Sequence, residues 1–435
     1  MGRQALRYAA GISGYRADAK FREMLGRENW QKWQQRKVHE LMQYAVRHIP
    51  FYYGRACGKT AEHAMDVLAT WPLLDKDQIK EAGDALLSKK ILLRFPTYTS
   101  GTTGTPLTLY RTPSSAAFEQ VLIERQLHWA GWRQGDRRVW LRGDQVVPLQ
   151  DWGKPFWRRN SAENMLVCSS FHLRDDTIAQ YIEAMEAFDP VVIQAYPSSI
   201  ACIARWLLQN GQRYQGRSLK GVVTSSEMLA DAARREISTA FNVAVFDWYG
   251  QSERVGAIGT CTHGSYHIIE DSGFVELLPK SPGTADLVGT GFGNLAMPLL
   301  RFRTADTVLL KNHEFRCGCG TSYRVVEKII GRENDRIITS DGREHIMLDF
   351  IFDEVAGLKE AQILQEKIDE IHLCVVLYPG FNLSDMSILK DRARQRLGAH
   401  VQVHLRQMER IERTSAGKVS LIVNKLIKSG ISAQQ

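Results

Sequence analysis

No apolar run in the 435-residue chain approaches the ~18 residues that a membrane-spanning helix needs. The first twenty residues, MGRQALRYAAGISGYRADAK, are broken by Arg7, Gly11 and Gly14 and hold no signal-peptide core, so a cytoplasmic protein is the default expectation. Charge is not blocked: 56 basic and 48 acidic side chains leave a net +8 spread along the chain. That excludes a nucleic-acid arm and leaves solubility plus some attraction for anionic ligands. The seven cysteines make no disulfide framework. Four of them, Cys57, Cys168, Cys202 and Cys374, stand singly and read as small buried hydrophobes. Internal repeats and low-complexity segments are absent, and no GxxxxGK phosphate loop occurs.

What is present is an ordinary globular composition, 44% hydrophobic and 24% charged, in a chain too long for one comfortable core. Two domains, one large, follow. Residues 1–95 read as mostly helical, ending in WPLLDKDQIKEAG, where Pro72 and Asp75 suit a turn and a helix start. From about Arg137 strands and helices alternate. RRVWLRG, PVVIQAYPSS, LKGVVTSSEML and NVAVFDWYGQSE each begin with a β-branched or aromatic run and then turn polar. Between them, Thr177–Phe188 sets Ile178, Tyr181, Ile182 and Met185 on one helical face, and Ser198 and Ser199 offer an N-cap for the next helix. The alternation predicts an α/β fold with mixed, mostly parallel sheets, whose ligands bind at the carboxyl ends of the strands. The tails AYPSS, TSSE and WYGQSE fall at those ends. The charge- and glycine-rich segment from Lys328 to Ile346 reads as a hinge. Residues 332–435 read as a small, mobile α+β lid domain, with 96–331 as the binding core.

The stretch YTSGTTGTP, Tyr98–Pro106, holds five serine and threonine hydroxyls and two glycines in nine positions. Gly101 and Gly104 let the backbone turn tightly, and Thr99, Ser100, Thr102, Thr103 and Thr105 add donors. Composition allows either a phosphate cradle or a plain polar loop.

The stretch resembles the signature loop of the adenylate-forming superfamily (acyl-CoA synthetases, luciferases and peptide-synthetase adenylation domains). Four further segments resemble that superfamily's motifs, in its order: WYGQSE at 248–253, RFRTADTV at 301–308, GRENDRII at 331–338 and RTSAGK at 413–418. WPLLDKDQIKEAG, AYPSS and the short length resemble the phenylacetate–CoA ligase branch, and Asp341–Arg343 (DGR) its CapK-like members. The resemblance implies two half-reactions: a carboxylate attacks the α-phosphate of ATP to give an acyl-adenylate and pyrophosphate, and the acyl group then passes to a nucleophile, usually coenzyme A.

By the same resemblance Glu253 would hold Mg²⁺ and Ser252 would donate to the α-phosphate. Lys418 would bridge the α-phosphate and the acid carboxylate, delivered by the lid. Asp306 would accept from the ribose hydroxyls, unless it pairs with Arg301 or Arg303; Ala305 stands where the family has glycine. The nucleotide would be held by residues 99–104 (Thr99, Ser100, Gly101, Thr102, Thr103, Gly104), by Ser226 and Glu227, by Asp247, Trp248, Tyr249, Gly250 and Gln251, and by Arg332. Tyr249 would stack on the adenine, or else pack in the core. Either Asn334 or Asp335 would be the hinge pivot, and Tyr196 and Pro197 would shape the acyl pocket. CTHGSYH and CGCG supply Cys261, His267, Cys317 and Cys319 for a closed, structural zinc site, with His263 the alternative fourth ligand. Reduced loop cysteines are the competing expectation.

The expected activity is AMP-forming activation of a carboxylic acid. The alternatives are transfer to an amine or hydroxyl in surface-polysaccharide biosynthesis, or a non-catalytic nucleotide-binding scaffold. A homodimer is implied by resemblance only.

Overall fold

A computed structural model describes residues 12–99, 107–153, 155–312, 314–332, 335–346, 348–353, 355–414 and 416–428. The chain divides into two compact units that interleave in sequence: residues up to Trp129 with Trp248–Ile329, and Ala130–Asp247 with Ile330 onward. Among the described residues, no helix is long and apolar enough to cross a membrane.

The first unit opens with helices Ile12–Glu23 and Arg27–His48. Asp75 caps the helix Lys76–Ala82 in a reciprocal capping box with Gln78, as WPLLDKDQ predicts. Phe95–Tyr98 pairs antiparallel with Thr108–Arg111 on either side of the glycine- and threonine-rich stretch, and Thr99 N–H donates to the Leu107 carbonyl. Ser100, Gly101, Thr102, Thr103 and Gly104 lie outside the described residues. The strands from Ala257 to Leu310 are antiparallel, with Thr284–Gly291 fully buried between Gly273–Pro279 and Phe302–Leu310.

One buried charge network fixes the helix Pro113–Trp129 in this unit. Arg125 forms a bidentate pair with Asp271 at 2.7 and 3.0 Å, and Arg22 adds a third bond at 3.0 Å. Burial alone would raise the Asp271 pKa; the two guanidiniums outweigh it and hold the carboxyl below the ordinary range.

In the second unit Arg138–Arg142 pairs parallel with Met165–Ser169 and with Val192–Ala195, which pairs parallel with Gly221–Ser225. Arg138–Arg142, Val192–Ala195 and Gly221–Ser225 are the strands anticipated from RRVWLRG, PVVIQA and GVVTSS; Met165–Ser169 was not anticipated. Helix Asp175–Phe188 buries Ile178, Tyr181, Ile182 and Met185, the face its spacing predicts. Helix Pro197–Gln209 corrects one expectation. Its N-cap is Tyr196, with Pro197 inside the first turn, so Ser198 and Ser199 are helical residues and do not cap it.

Beyond residue 336 a separate core of Ile337, Ile363, Leu373, Leu389 and Val403 is built on a four-stranded sheet. Helix Ser387–Leu397 buries Leu389, Ala393 and Leu397. This is the small α+β domain expected from the C-terminal pattern. Cys168, Cys202 and Cys374 are buried free thiols, as their isolation suggests, and Cys57 is half-buried.

Candidate active site

The strand Ala244–Gly250, whose last three residues belong to the first unit, runs out into Gln251–Glu253. Arg111, at the end of the hairpin, donates from its guanidinium to the Ser252 carbonyl and so fixes the motif's backbone. Burial pushes the Arg111 pKa down to about 10 while the nearby Glu253 charge opposes that shift. The Glu253 side chain is only 6% exposed, with Lys76 Nζ 3.9 Å away. One carboxylate, completed by phosphate and water oxygens, is a donor set that suits a phosphate-bound Mg²⁺, and the neighbouring cations would meet the phosphate instead.

Asp306 is buried and accepts a 2.6 Å bond from the Tyr249 phenol. Its suspected ion-pair partners are engaged elsewhere: Arg301 with Glu276 at 2.8 and 3.0 Å, Arg303 with Asp286 at 3.1 Å. The register between Thr284–Gly291 and Phe302–Leu310 breaks at this point, and Ala305 adopts φ 61°. The family glycine thus has a conformational reason, and alanine occupies a left-handed position that costs about 1–2 kcal/mol. The bulge re-aims Asp306. Tyr249 packs its ring against the cluster of Ile258, Val275 and Leu287, so core packing is part of its role.

The second unit carries the other candidate residues at the carboxyl ends of its parallel strands. Asp247 accepts a 2.7 Å bond from the Thr224 hydroxyl, both buried. Ser226, at φ 73°, takes a bond from Arg142, whose guanidinium lies over the rings of Trp140 and Tyr196 at 4.7 and 5.2 Å. The C-terminal domain delivers Lys418 here, with Nζ 5.9 Å from the centre of the Tyr196 ring. Its turn is closed by Gly417 N–H to the Thr414 carbonyl at 2.8 Å and by Thr414 N–H to the Lys418 carbonyl at 2.9 Å. Gly143 must lack a side chain, because a Cβ there would overlap the Ala416 carbonyl oxygen.

Glu227 joins the two parts of this unit. Its carboxylate accepts from Ser198 N–H at 2.9 Å, from the Ser198 hydroxyl at 3.1 Å and from Val419 N–H at 2.7 Å. Burial raises its pKa, and the bonds from Ser198 and Val419 oppose the rise. Further ties are Arg205 to the Lys359 carbonyl at 2.7 Å and Lys359 to Asp175 at 2.6 Å. Pro197 lines a cavity of about 220 Å³ bounded by the same elements. Arg332 ends the strand Val325–Arg332 and Asp335 follows, but the Arg332 side chain and Asn334 lie outside the described residues. Arg111, Lys76 and Arg142, together with the link from Glu227 to Val419, were not anticipated from the sequence; isolated basic residues carry no motif.

Cys261, His267, Cys317 and Cys319 place their ligand atoms within 4.8 Å of one another in the first unit. Cys261 Sγ lies 3.6 Å from Cys317 Sγ, and Cys319 Sγ lies 3.4 Å from His267 Nε2. A tetrahedral zinc with Zn–S of ~2.3 Å needs ligand-to-ligand edges of ~3.5–3.8 Å, so the four residues fit one. His267 Nδ1 lies 3.4 Å from the Tyr323 carbonyl, a contact that would orient the ring. His263 is outside the cluster and instead gives its backbone N–H to Cys261 Sγ at 3.4 Å.

The motif residues thus stand on a mixed α/β framework with a small C-terminal domain. Residues 337–425 match the CapK C-terminal domain family. Protein CapK of Staphylococcus aureus is 26% identical over 362 residues, covering 82% of this chain and 80% of that protein. The phenylacetate-coenzyme A ligase of Pseudomonas putida is 23% identical over 420 residues, covering 89% and 92%. Among solved structures, 2-hydroxyisobutyryl-CoA ligase in the postadenylation state with 2-HIB-AMP superposes with a TM-score of 0.71 at 17% identity, over 94% of each chain. The chain therefore resembles the phenylacetate–CoA ligase and CapK branch of the adenylate-forming superfamily.

Proposed function

We propose that this protein is an AMP-forming acid–CoA ligase. The observation that carries the proposal is Lys418, set by the C-terminal domain over Tyr196 at the carboxyl ends of the parallel strands. Joining a carboxylate to the α-phosphate of ATP brings like charges together, so the step depends on positioning and charge neutralisation. The Lys418 ammonium supplies a mobile positive charge for that purpose, and Tyr196 and Pro197 contribute to the acyl pocket at the reacting end. Ser252 donates to the α-phosphate, and Asp306, held by the Tyr249 phenol, accepts from the ribose hydroxyls. Glu253 would hold Mg²⁺, which neutralises phosphate charge when bound.

The hydroxyl-rich stretch 99–104, Ser226, the strand end Asp247–Gln251 and Arg332 complete the nucleotide site in this reading, while Glu227, bonded to Ser198 and to Val419 N–H, positions Lys418 instead of touching the nucleotide. Asp335 or Asn334 acts as the hinge pivot. Coenzyme A is the proposed acceptor, a reading supported by the relatives named as CoA ligases. The Cys261, His267, Cys317 and Cys319 cluster is proposed as a structural Zn²⁺ site, closed by four protein ligands and therefore without a role in the chemistry. A cytoplasmic location and a homodimer belong to the same proposal. ATP–pyrophosphate exchange dependent on a carboxylic acid tests it, followed by acid- and CoA-dependent thioester formation. Exchange without CoA-dependent product would redirect the acceptor to an amine or hydroxyl.

A further inference from the structure

The turn Ser88–Arg94 of the first unit, SKKILLR, sets two leucines in water. Leu92 is 83% exposed and Leu93 78%, more than any other large apolar side chain among the described residues, whereas Leu86 and Leu87 just before them are buried. Hydrogen bonds fix the turn in this form. The Ser88 hydroxyl accepts from the backbone N–H groups of Lys90 at 3.1 Å and Ile91 at 3.3 Å. The Arg94 guanidinium donates to the Ser88 and Ile91 carbonyls, both at 3.1 Å, and lies over the Tyr110 ring at 5.8 Å. Ser88 N–H is bonded to the Ala296 carbonyl and Lys89 N–H to the His48 carbonyl, both at 2.9 Å. The leucines therefore stand on an ordered protrusion and are held off the core.

The surroundings are basic. Lys89 and Lys90 are exposed on the turn itself, and Arg47 is exposed at the end of the helix to which Lys89 is bonded. Three stretches of chain meet here, and none carries an acid at this point. No aspartate or glutamate occurs between Glu40 and Glu62, between Asp84 and Glu119, or between Asp286 and Asp306. The third stretch adds Leu295, 39% exposed, next to the Ala296 carbonyl that holds Ser88.

An apolar tip rimmed by charge of one sign marks a contact surface. Its size and charge choose the occupant. A stable protein partner covers about 800 Å² on each side, and a tip of two leucine side chains offers only a fraction of that. A lipid surface needs less. A few apolar side chains enter the headgroup layer, and each lysine or arginine beside them strengthens binding to anionic lipid by about fivefold.

We infer that the Ser88–Arg94 turn docks this protein on an anionic membrane surface, with Leu92 and Leu93 entering the headgroup layer and Lys89, Lys90 and Arg47 meeting lipid phosphates. The inference concerns where the protein works and stands apart from the ligase reading. The test is co-sedimentation of the full chain with vesicles of phosphatidylcholine alone, or of two parts phosphatidylcholine to one part phosphatidylglycerol. Binding to the anionic vesicles is expected to exceed binding to the neutral ones at least tenfold and to weaken as salt is raised. Leu92→Ser/Leu93→Ser and Lys89→Gln/Lys90→Gln should each lower it at least tenfold, with the unfolding midpoint unchanged because all four side chains are exposed. No binding to anionic vesicles, or equal binding to neutral ones, overturns the inference. Loss in the lysine variant alone would be plain adsorption of a basic protein and also overturns it. Light scattering gives the last outcome: an oligomer that the leucine variant breaks would assign the turn to a contact between copies of this chain, not to lipid.

Discussion

Truncating Glu227 should separate the two half-reactions. Its carboxylate takes the Val419 N–H at 2.7 Å, one residue beyond Lys418, while two more bonds from Ser198 hold it on the helix Pro197–Gln209. A hydrogen bond to a charged group contributes about 1.5–3 kcal/mol. If that energy holds Lys418 in its working position, Glu227→Ala slows acyl-adenylate formation by about 10- to 150-fold. Glu227→Gln, which keeps an acceptor oxygen, should lose less. If Lys418 serves adenylation alone, as proposed, transfer from preformed acyl-adenylate to CoA should change by less than about threefold. Single-turnover adenylation and transfer assays, run side by side, measure both. Equal loss in the two assays, or a raised ATP KM with unchanged kcat, would refute the reasoning. The second pattern would make Glu227 a nucleotide contact.

Three other perturbations follow from the geometry. Asp271→Asn removes the buried carboxylate that Arg22 and Arg125 share, leaving them only the longer contacts to Asp18 and Glu23, and should cost about 3–5 kcal/mol in denaturant unfolding. Because the folded Asp271 pKa is lowered, its stabilising share is complete above the unfolded carboxylate value of ~3.9 and is lost as pH falls through the lower folded value. A wild-type unfolding midpoint that falls below that pH, with a flatter dependence in Asp271→Asn, is the expected pattern. Ala305→Gly should stabilise the protein by about 1 kcal/mol, since φ 61° suits glycine; a loss of stability would mean the bulge is not strained. Purified protein should contain zinc at about one equivalent per chain and Cys317→Ser should lose it; metal-free wild type would leave the four residues as reduced thiols and a histidine.

The fold was legible where pattern is periodic. Ile178, Tyr181, Ile182 and Met185 share a helical face in the sequence and are buried together in the structure. Cys261, His267, Cys317 and Cys319, grouped in the sequence from CTHGSYH and CGCG, lie within 4.8 Å of one another. Side-chain partnerships across long separations were not legible. Ser198 looks like a cap, yet its bonds go to a carboxylate 29 residues away, and the helix starts on Pro197 instead. Arg111 reaches the Ser252 carbonyl from 141 residues upstream, a separation at which a lone arginine leaves no local signal. Ala305 seemed a neutral replacement for glycine because sequence shows register but not φ.

ATP–pyrophosphate exchange in wild type and Lys418→Ala is the most direct measurement of the central claim. Acid-dependent exchange in the wild type, reduced at least 100-fold in Lys418→Ala while ATP binding is retained, is the predicted result. Equal exchange in the two proteins would contradict the assignment of Lys418 and the account built on it.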